Sequence, residues 1–364
     1  MLSLKIPFMT TVLVKVDFNL SSLTETYRIQ STQKTILELI SEGNKVVLMT
    51  HYGRPTKQEK IYSTKNLQQV IEEVIGVKAK YINQFDSFDK AAKLIANSKS
   101  KLFLLENTRF NPIEEKGTTQ EKFLLGKEYS KLGQFIVDEA FSVSHRNEVT
   151  NTIVKNFLPF GYGYRYQLEI KNLDKLQKPQ KPYYLVMGGA KVETKLPLIE
   201  HLIGKADKIY IGGMICFTFL EEMRRRGAKV PPLFDTNFEE EYIPIVKKLL
   251  DKHPKKIVLP LDLVYKSVEG KIFAADIGSM STQLFCDGLK DAKTIFWNGT
   301  LGEVEKPTFD YSTKQLVKTL LTIPKAFIVC GGGDTESFLS EKEKAKIDFV
   351  STGGGACLDY LSKN

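Results

Sequence analysis

The chain of 364 residues is too long for one ordinary hydrophobic core, and its length suits two domains. Hydrophobic residues make up 42% of it and charged residues 26%, a balance that excludes bulk disorder. The net charge of +9, from 52 Lys and Arg against 43 Asp and Glu, suits a small anionic substrate, nucleic acid or a membrane surface, and the first of these is favoured.

Apolar β-rich runs alternate with longer amphipathic stretches along the whole chain. The candidate strands are, in chain order, Val12–Val16, Lys45–Met49, Lys101–Leu105, Gln134–Val137, Tyr183–Met187, Lys208–Ile211, Lys256–Leu259, Thr294–Trp297 and Ala326–Cys330. The helical patterns between them are Leu67–Ile75, Thr118–Leu132, Tyr242–Lys252 and Ser312–Leu320. Because the strand runs are apolar without alternation, they indicate parallel sheets buried on both faces. The order of elements predicts a doubly wound α/β fold.

A domain boundary is predicted near Pro159–Lys181. Glycines and prolines there flank one charged helical stretch, Gln167–Lys175, which we interpret as a connecting helix. The predicted organisation is an N-terminal domain over residues 1–160, a connecting helix over 161–180, a C-terminal domain over 181–350 and a tail over 351–364.

The chain shows no pattern typical of a membrane or disulfide-linked protein. The four cysteines lie far apart without a C-x-x-C pair, so neither a zinc knuckle nor a disulfide framework is predicted, and a reducing cytoplasm fits. No targeting segment is recognised, and the uncharged run Ile209–Leu220 is too short to span a bilayer. The basic run Arg224–Arg226 precedes Gly227, which favours a cationic helix end over a nucleic-acid patch.

Glycine-rich turns follow several strands of the second half. After Ala326–Cys330 come three glycines, Asp334 and Thr335, where backbone amides and a helix N-terminus would bind an anion. Asp334 would then be an oxygen ligand of Mg²⁺, although a structural turn capped by Asp334 is an equal alternative. Two further turns, Gly188–Lys191 and Ser351–Gly355, have the same character, but neither a Walker A loop nor G-x-G-x-x-G occurs.

Polar side chains follow the strands of the first half. They are Asp17, Asn19, Arg28, His51, Arg54, Arg109 and Arg146. Arginines hold phosphate and carboxylate groups bidentately, so the set suits a substrate that carries both. Any one of these residues alone is more often a surface residue.

Together these strings resemble the sequence signatures of the phosphoglycerate kinase family. The matching segments are Val14–Asn19 (VKVDFN, for R-V-D-F-N), Thr50–Pro55 (THYGRP, for S-H-L-G-R-P), Glu106–Phe110 (ENTRF, for E-N-L-R-F), Ala140–Arg146 (AFSVSHR, for A-F-G-T-A-H-R), Gly188–Lys195 (GGAKVETK, for G-G-A-K-V-x-D-K), Gly212–Phe219, Trp297–Glu305, Gly331–Thr335 and Val350–Ala356. They follow the family order over nearly the whole chain.

The resemblance implies two Rossmann-like doubly wound domains whose parallel sheets face a cleft and are joined by a hinge helix. It implies that the N-terminal domain binds 3-phosphoglycerate or 1,3-bisphosphoglycerate, that the C-terminal domain binds Mg-ADP or Mg-ATP, and that Leu358–Asn364 returns to the N-terminal domain. The implied activity is reversible, in-line phosphoryl transfer on domain closure, a step of glycolysis and gluconeogenesis. We expect a cytoplasmic monomer with small-molecule substrates and without nucleic-acid or membrane partners.

The resemblance also assigns roles to individual residues. It implies phosphoglycerate binding by Asp17, Asn19, Arg28, His51, Arg54, Arg109 and Arg146. It implies nucleotide binding by Lys191, Lys195, Gly213, Asn298, Glu305, Gly332, Gly333, Asp334 and Thr335, with Asp334 also a ligand of Mg²⁺. It implies that the catalytic groups around the moving phosphoryl are Arg28, Lys191, Lys195, Gly354 and Gly355.

The chain departs from the family pattern in several ways. It is shorter than expected for the family, Ile211 stands where the first glycine before Gly212 is usual, and the connecting helix lacks the family's A-G step. Thr194 replaces an Asp, Thr300 replaces the Pro of W-N-G-P, and the turn between Asn19 and Arg28 is contracted. A catalytically impaired, regulatory nucleotide-binding homologue is one alternative, but the signature lysines and Asp334 are intact. A nucleic-acid binder ranks last, because no basic stripe interleaved with aromatic residues is evident.

Overall fold

The fold consists of two compact units in a computed structural model that describes residues 2–20 and 22–363. The units are Met1–Ile170 and Lys171–Asn364, and one helix extends across the division between them. The domain limits expected from the sequence stay a prediction.

The first unit is built on a parallel sheet. Its strands are β1 (Thr11–Lys15), β2 (Lys45–Met49), β3 (Ala79–Ile82), β4 (Leu102–Leu105), β5 (Phe135–Asp138) and β6 (Phe160–Tyr162), in the spatial order β3-β4-β2-β1-β5-β6. Its helices are α1 (Tyr27–Ser41), α2 (Gln68–Ile75), α3 (Phe88–Asn97), α4 (Ile113–Lys116) and α5 (Thr119–Ser130), and α6 (Tyr164–Gln177) runs into the second unit. Every strand pair of this sheet within the described residues is parallel.

Alternate residues of the central strands belong to two separate apolar cores. Val12 and Val14 of β1 pack in a cluster with residues of α1 and α2, whereas Leu13 packs in a cluster with residues of α3 and α5. Successive side chains of a strand point to opposite faces, so the sheet is covered by helices on both sides. This explains why the strand sequences are apolar without alternation.

The second unit repeats this architecture and adds a hairpin. Its parallel strands are β7 (Tyr183–Met187), β8 (Lys208–Ile211), β9 (Ile257–Val258), β12 (Thr294–Asn298), β13 (Phe327–Gly331) and β14 (Phe349–Val350), in the order β14-β13-β12-β7-β8-β9. The hairpin consists of β10 (Leu263–Val268) and β11 (Lys271–Ile277), which pair antiparallel. The helices are α7 (Val192–Leu202), α8 (Ile215–Arg225), α9 (Ile243–Lys252), α10 (Ser279–Gly288), α11 (Tyr311–Leu320), α12 (Gly333–Phe338), α13 (Glu341–Lys344) and α14 (Gly355–Lys363).

The predicted doubly wound α/β fold is confirmed. The basic run Arg224–Arg226 does lie at the end of a helix, where its guanidinium groups pair with Glu221, Glu222 and other carboxylates. All four cysteines are free and buried. Across the described residues, no helix is long and apolar enough to cross a membrane.

The C-terminal helix α14 contacts α7 within the second unit, and the side chain of Gln177 donates a hydrogen bond to the Leu361 carbonyl at 3.3 Å. The expected return of Leu358–Asn364 to the N-terminal domain stays a prediction, and Asn364 itself lies outside the described residues. Ser21, in the contracted turn between Asn19 and Arg28, also lies outside the described residues.

Candidate active site

The polar residues expected to bind phosphoglycerate follow the carboxyl ends of parallel strands in the first unit. Asp17 and Asn19 follow β1, His51 and Arg54 follow β2, and Arg109 follows β4. Arg146 comes after β5, and Arg28 lies in the first turn of α1. Ligands of open α/β sheets bind at this edge.

Asp17 is the centre of this cluster. Its Oδ2 accepts hydrogen bonds from Arg28 Nη1 and Ser142 Oγ, and its Oδ1 accepts one from the Asn19 amide at 3.2 Å. Burial raises the pKa of this carboxyl, but the Arg28 charge, His51 and the hydrogen bonds outweigh burial and hold the pKa well below its usual range. Asp17 is therefore an ionised hydrogen-bond acceptor at neutral pH.

His51 is a buried, neutral imidazole beside this carboxylate. Its Nε2 lies 3.7 Å from Asp17 Oδ1, and its buried Nδ1 has no hydrogen-bond partner among the described residues. Burial lowers the pKa of His51 to about 3, because the Asp17 charge does not compensate for lost hydration and nearby Arg109 and Lys15. His51 therefore adds no positive charge to the cluster.

The arginines of the cluster differ in burial. Arg54 is exposed, and the side chain of Arg146 is 37% exposed. Arg109 is buried, and its Nη2 lies 2.7 Å from Glu148 Oε1 and 3.0 Å from Glu115 Oε1, while its Nη1 donates to the Gly53 carbonyl at 3.2 Å. Arg109 thus already holds protein groups with both terminal nitrogens, whereas Arg54 presents its guanidinium to solvent.

A buried ionic network underlies Arg109. Lys15 Nζ donates to Thr150 Oγ1 at 2.7 Å and lies 3.9 Å from Glu148 Oε2 and 4.0 Å from Glu114 Oε1. Burial favours protonation of Glu148, but Lys15 and Arg109 lower its pKa to about 2. Burial raises the pKa of Glu114 to about 7. Sequence reasoning missed this network, because its members are far apart along the chain.

In the second unit, a cavity of about 300 Å³ and another of about 310 Å³ share Ala190 and Asp334 in their walls. The larger one is called the phosphate cavity here; it is lined by Ala190, Lys191, Thr194, Lys195, Asn298, Gly299, Gly332, Gly333, Asp334, Thr335, Gly354, Gly355 and Leu358. The other, called the base cavity, is lined largely by apolar side chains and backbone, and Gly213 and Glu305 are among its residues. A cavity lined by lysines and glycine backbone, next to one with more apolar side chains, suits a nucleotide.

Lys191 and Lys195 occupy different positions in the phosphate cavity. Lys191 is the exposed residue before α7, whereas Lys195 lies within α7 and is buried. Lys195 Nζ donates to the carbonyls of Gly188 and, at 3.1 Å, Asn298. Burial lowers the pKa of Lys195 to about 8, although Asp334 opposes this change.

Backbone hydrogen bonds fix the turns around the phosphate cavity. The amides of Gly188 and Gly189 donate to the carbonyls of Asn298 at 2.9 Å and Thr300 at 2.7 Å. Gly213 has φ of +58°, and a Cβ at this position would collide with the Gly189 backbone. Only glycine therefore allows β8 to turn so close to the turn that follows β7.

The walls of the phosphate cavity offer donors to an anion. Asn298 Nδ2 is buried and has no hydrogen-bond partner within residues 2–20 and 22–363. Gly355 begins α14, so its amide belongs to the positive end of that helix. Thr335 Oγ1 accepts a hydrogen bond from the Gly299 amide at 2.7 Å, which holds the end of β12 in place.

Asp334 is suited to a divalent cation held jointly by protein and nucleotide. Within the part of the chain that the structure describes, its exposed carboxylate takes part in no hydrogen bond or ion pair, and α12 has no side-chain cap. The described residues contain no group of three or more His, Cys, Asp or Glu that could bind a metal. Mg²⁺ commonly uses one or two carboxylates together with phosphate oxygens and water, so one free carboxylate beside a phosphate cavity fits it.

The structure thus gathers the predicted residues into one cluster in each unit. Sequence reasoning missed Ser142, Lys15, Glu114 and Glu148 of the first unit, and it missed most of the base cavity, including the β10–β11 hairpin. A signal for Ser142 was available, since it is the serine in AFSVSHR where the family signature has glycine. The apolar wall of the base cavity offers no such signal, because its residues resemble any core residues.

The comparisons with known proteins agree over nearly the full length. Residues 9–364 match the family described as Phosphoglycerate kinase. Phosphoglycerate kinase of Finegoldia magna is 35% identical over 379 residues, which cover 96% of this chain and 93% of the relative, and that of Fervidobacterium nodosum is 34% identical with coverages of 96% and 92%. The solved phosphoglycerate kinases of Pyrococcus horikoshii OT3 and Coxiella burnetii superpose with TM-scores of 0.83 and 0.79, each at 26% identity and over 98% of this chain and 94% of theirs.

Proposed function

The chain belongs to the phosphoglycerate kinase family, and we propose that it transfers a phosphoryl group reversibly between 1,3-bisphosphoglycerate and ADP, giving 3-phosphoglycerate and ATP. The observation that carries this proposal is the phosphate cavity of the second unit, where Lys191, Lys195 and Asp334 meet glycine-rich strand ends. The signature lysines and Asp334 are present in this cavity, although Thr194 stands where the family signature has Asp. No observation favours the catalytically impaired alternative.

We propose that 3-phosphoglycerate binds to the cluster around Asp17. Its phosphate and carboxylate suit the guanidinium groups of Arg28, Arg54 and Arg146, with Arg109 holding the turn that carries Arg54. An ionised carboxylate accepts hydrogen bonds only, and the hydroxyl is the one donor of fully ionised 3-phosphoglycerate. Asp17 would therefore bind the substrate hydroxyl, and Asn19 and His51 would complete the wall around it.

The nucleotide would lie with its base in the base cavity near Gly213, its ribose near Glu305 and its phosphates against Asn298, Gly332, Gly333 and Thr335. Asp334 would hold Mg²⁺, which supplies positive charge to the phosphate oxygens when bound. Lys191, Lys195, Arg28 and the amides of Gly354 and Gly355 would stabilise the negative charge of the moving phosphoryl group.

The reaction needs no general base in this scheme. The attacking carboxylate of 3-phosphoglycerate is already ionised, and His51, with its pKa lowered to about 3 by burial, is not suited to take a proton at neutral pH. In-line positioning and electrostatic stabilisation account for catalysis, and the domain closure expected from the sequence stays a prediction.

We expect the protein to act as a cytoplasmic monomer on small molecules, without nucleic-acid or membrane partners. The arginines of the basic run Arg224–Arg226 are each paired with a carboxylate, which argues against a nucleic-acid patch there. Size-exclusion chromatography with light scattering tests the oligomeric state.

The activity is tested in a coupled assay. The 1,3-bisphosphoglycerate that forms is reductively dephosphorylated with NADH, so the oxidation of NADH reports its formation. We expect NADH oxidation that requires the protein, ATP, Mg²⁺ and 3-phosphoglycerate together. ATP hydrolysis without a need for 3-phosphoglycerate, or nucleotide binding without turnover, would contradict the proposal and support the impaired alternative.

A further inference from the structure

Ser142 adds a hydrogen bond that the family signature does not provide. It occupies the glycine position of A-F-G-T-A-H-R, in the segment that follows β5, and its Oγ donates to Asp17 Oδ2. Glycine has no side chain to make such a bond, so this contact is a property of the present chain.

Among the residues that the structure describes, four groups surround the Asp17 carboxylate. Arg28 Nη1 and Ser142 Oγ bind Oδ2, the Asn19 amide binds Oδ1 at 3.2 Å, and His51 Nε2 faces Oδ1 at 3.7 Å. An ionised carboxylate has about four acceptor positions. Hydrogen bonds fill three of these positions, and the buried His51 ring stands against the remaining side of Oδ1 at 3.7 Å, beyond hydrogen-bond distance. A further donor therefore has to approach where one of these neighbours now lies.

The four neighbours differ in how readily they leave. Arg28 is a charged partner, the Asn19 amide is part of the backbone, and His51 is a buried ring. Ser142 is neutral and only half-buried, and its hydroxyl moves by rotation about one side-chain bond. Ser142 is the neighbour that can withdraw at the lowest cost.

We propose that the Ser142 hydroxyl competes with the hydroxyl of 3-phosphoglycerate for Asp17, so that Ser142 sets the affinity and the hydroxyl selectivity of this site. The inference rests on the proposed function, because it takes 3-phosphoglycerate as the ligand. Removal of the Ser142 hydroxyl leaves one acceptor position of Asp17 open for the substrate. The variant thereby binds the hydroxyl-bearing substrate more tightly, and a ligand without this hydroxyl gains nothing.

Isothermal titration calorimetry of the full chain tests the competition with two ligands. The first is 3-phosphoglycerate, and the second is 3-phosphooxypropanoate, which carries the same phosphate and carboxylate but no hydroxyl. For Ser142→Ala we expect the dissociation constant for the hydroxyl-bearing ligand to fall about threefold to tenfold, the range of one net hydrogen bond. The dissociation constant for the ligand without a hydroxyl stays unchanged.

Controls separate this effect from general disturbance. Ser130→Ala removes a serine hydroxyl at the end of α5 that donates to a helix carbonyl, and it changes neither dissociation constant. Ser142→Gly restores the family residue and repeats the measurement if the alanine variant does not fold.

Weaker binding of 3-phosphoglycerate by the Ser142 variants would overturn the inference, since it would show that Ser142 holds Asp17 in its binding position. Equal changes for both ligands, or failure of the wild-type protein to bind 3-phosphoglycerate, would overturn it as well. A wild-type protein that binds 3-phosphoglycerate without turnover contradicts the proposed function alone, because the competition is measured by binding.

Discussion

Lys195 is an ionisable group whose charge state changes in an accessible pH range. Burial lowers its pKa to about 8, so the free protein loses this ammonium charge as the pH rises through that value. The kcat/KM for ATP reports the free enzyme and falls above pH 8, whereas kcat persists to higher pH because bound phosphates favour the charged lysine.

Steady-state kinetics between pH 6.5 and 10 check this prediction. Lys195→Arg keeps its charge throughout this range, so any remaining activity of the variant lacks the decline near pH 8. A kcat/KM profile of the wild-type protein that is flat from pH 7 to 9.5 would contradict the role of Lys195.

Alanine substitutions of Arg54 and Arg109 distinguish a role in substrate binding from a role in stability. Arg54→Ala removes an exposed guanidinium, so the Michaelis constant for the phosphoglycerate substrate rises at least tenfold. The Michaelis constant for ATP and the midpoint of urea unfolding stay unchanged. Arg109→Ala also raises the Michaelis constant for phosphoglycerate, and it lowers the free energy of unfolding by roughly 3 kcal/mol because Glu148 loses a buried partner. Equal weakening of both substrates in Arg54→Ala would contradict the division of the two sites.

The difference between these arginines shows where sequence reasoning ended. Their positions after β2 and β4 predicted that both would lie at the ligand-binding edge. Burial depends on tertiary partners, and Glu148, the partner of Arg109, lies 39 residues further along the chain. No local pattern contains that information.

Asp334 is tested by a magnesium titration. Asn keeps the size and hydrogen-bonding capacity of the residue but removes its charge, so Asp334→Asn requires at least tenfold more Mg²⁺ for half-maximal activity, with an unchanged urea midpoint. Loss of Mg²⁺ binding in the nucleotide complex is also visible by calorimetry. If Asp334 only stabilised the turn at the start of α12, Asn would replace it without loss, and the Mg²⁺ requirement would not change.

At the scale of elements, the N-terminus of α6 depends on a buried carboxylate. Glu139 accepts hydrogen bonds from the Thr35 hydroxyl and, at 2.9 Å, from the Tyr166 amide in the first turn of α6. Burial raises the pKa of Glu139 from 4.5 to about 7 despite these bonds, and the neighbouring Asp138 acts in the same direction. The folded state therefore retains this proton where the unfolded chain has lost it.

The consequence is a stability contribution from Glu139 that is present below pH 4.5 and lost as the pH rises to about 7. The glutamine side chain of Glu139→Gln stays neutral at every pH. Between pH 4.5 and 7.5, the free energy of unfolding of the wild-type protein therefore falls by up to about 3 kcal/mol relative to that of the variant. Urea unfolding followed by circular dichroism at both pH values measures this difference. A constant difference between the two proteins would show that Glu139 does not take up a proton on folding.

The strands that escaped sequence reasoning are three edge strands and the hairpin. β3, β6 and β14 lie at sheet edges and contain between two and four residues, which is too short for a clear apolar run. β10 and β11 are partly exposed and are joined by the turn Glu269-Gly270. The central strands were predicted because helices cover both of their faces, which makes them continuously apolar.

At the scale of the whole molecule, each unit contributes one class of site. The first unit contains a cationic cluster around one ionised carboxylate. The second contains two adjoining cavities, one lined by lysines and glycine backbone and the other by more apolar side chains. The first suits a small anion with a hydroxyl, and the second suits a nucleotide. The central claim is that these two sites serve one transfer reaction.

Transfer of a labelled phosphoryl group tests this claim most directly. The protein is mixed with Mg-ADP and 1,3-bisphosphoglycerate that carries ³²P in the acyl phosphate, and the products are separated by chromatography. We predict that the label appears in the γ-phosphate of ATP, and that Lys191→Ala slows this transfer by about 100-fold or more while the affinity for 3-phosphoglycerate stays unchanged. Label that remains in the acyl phosphate, or appears only as inorganic phosphate, would contradict the assignment of this chain as a phosphoglycerate kinase.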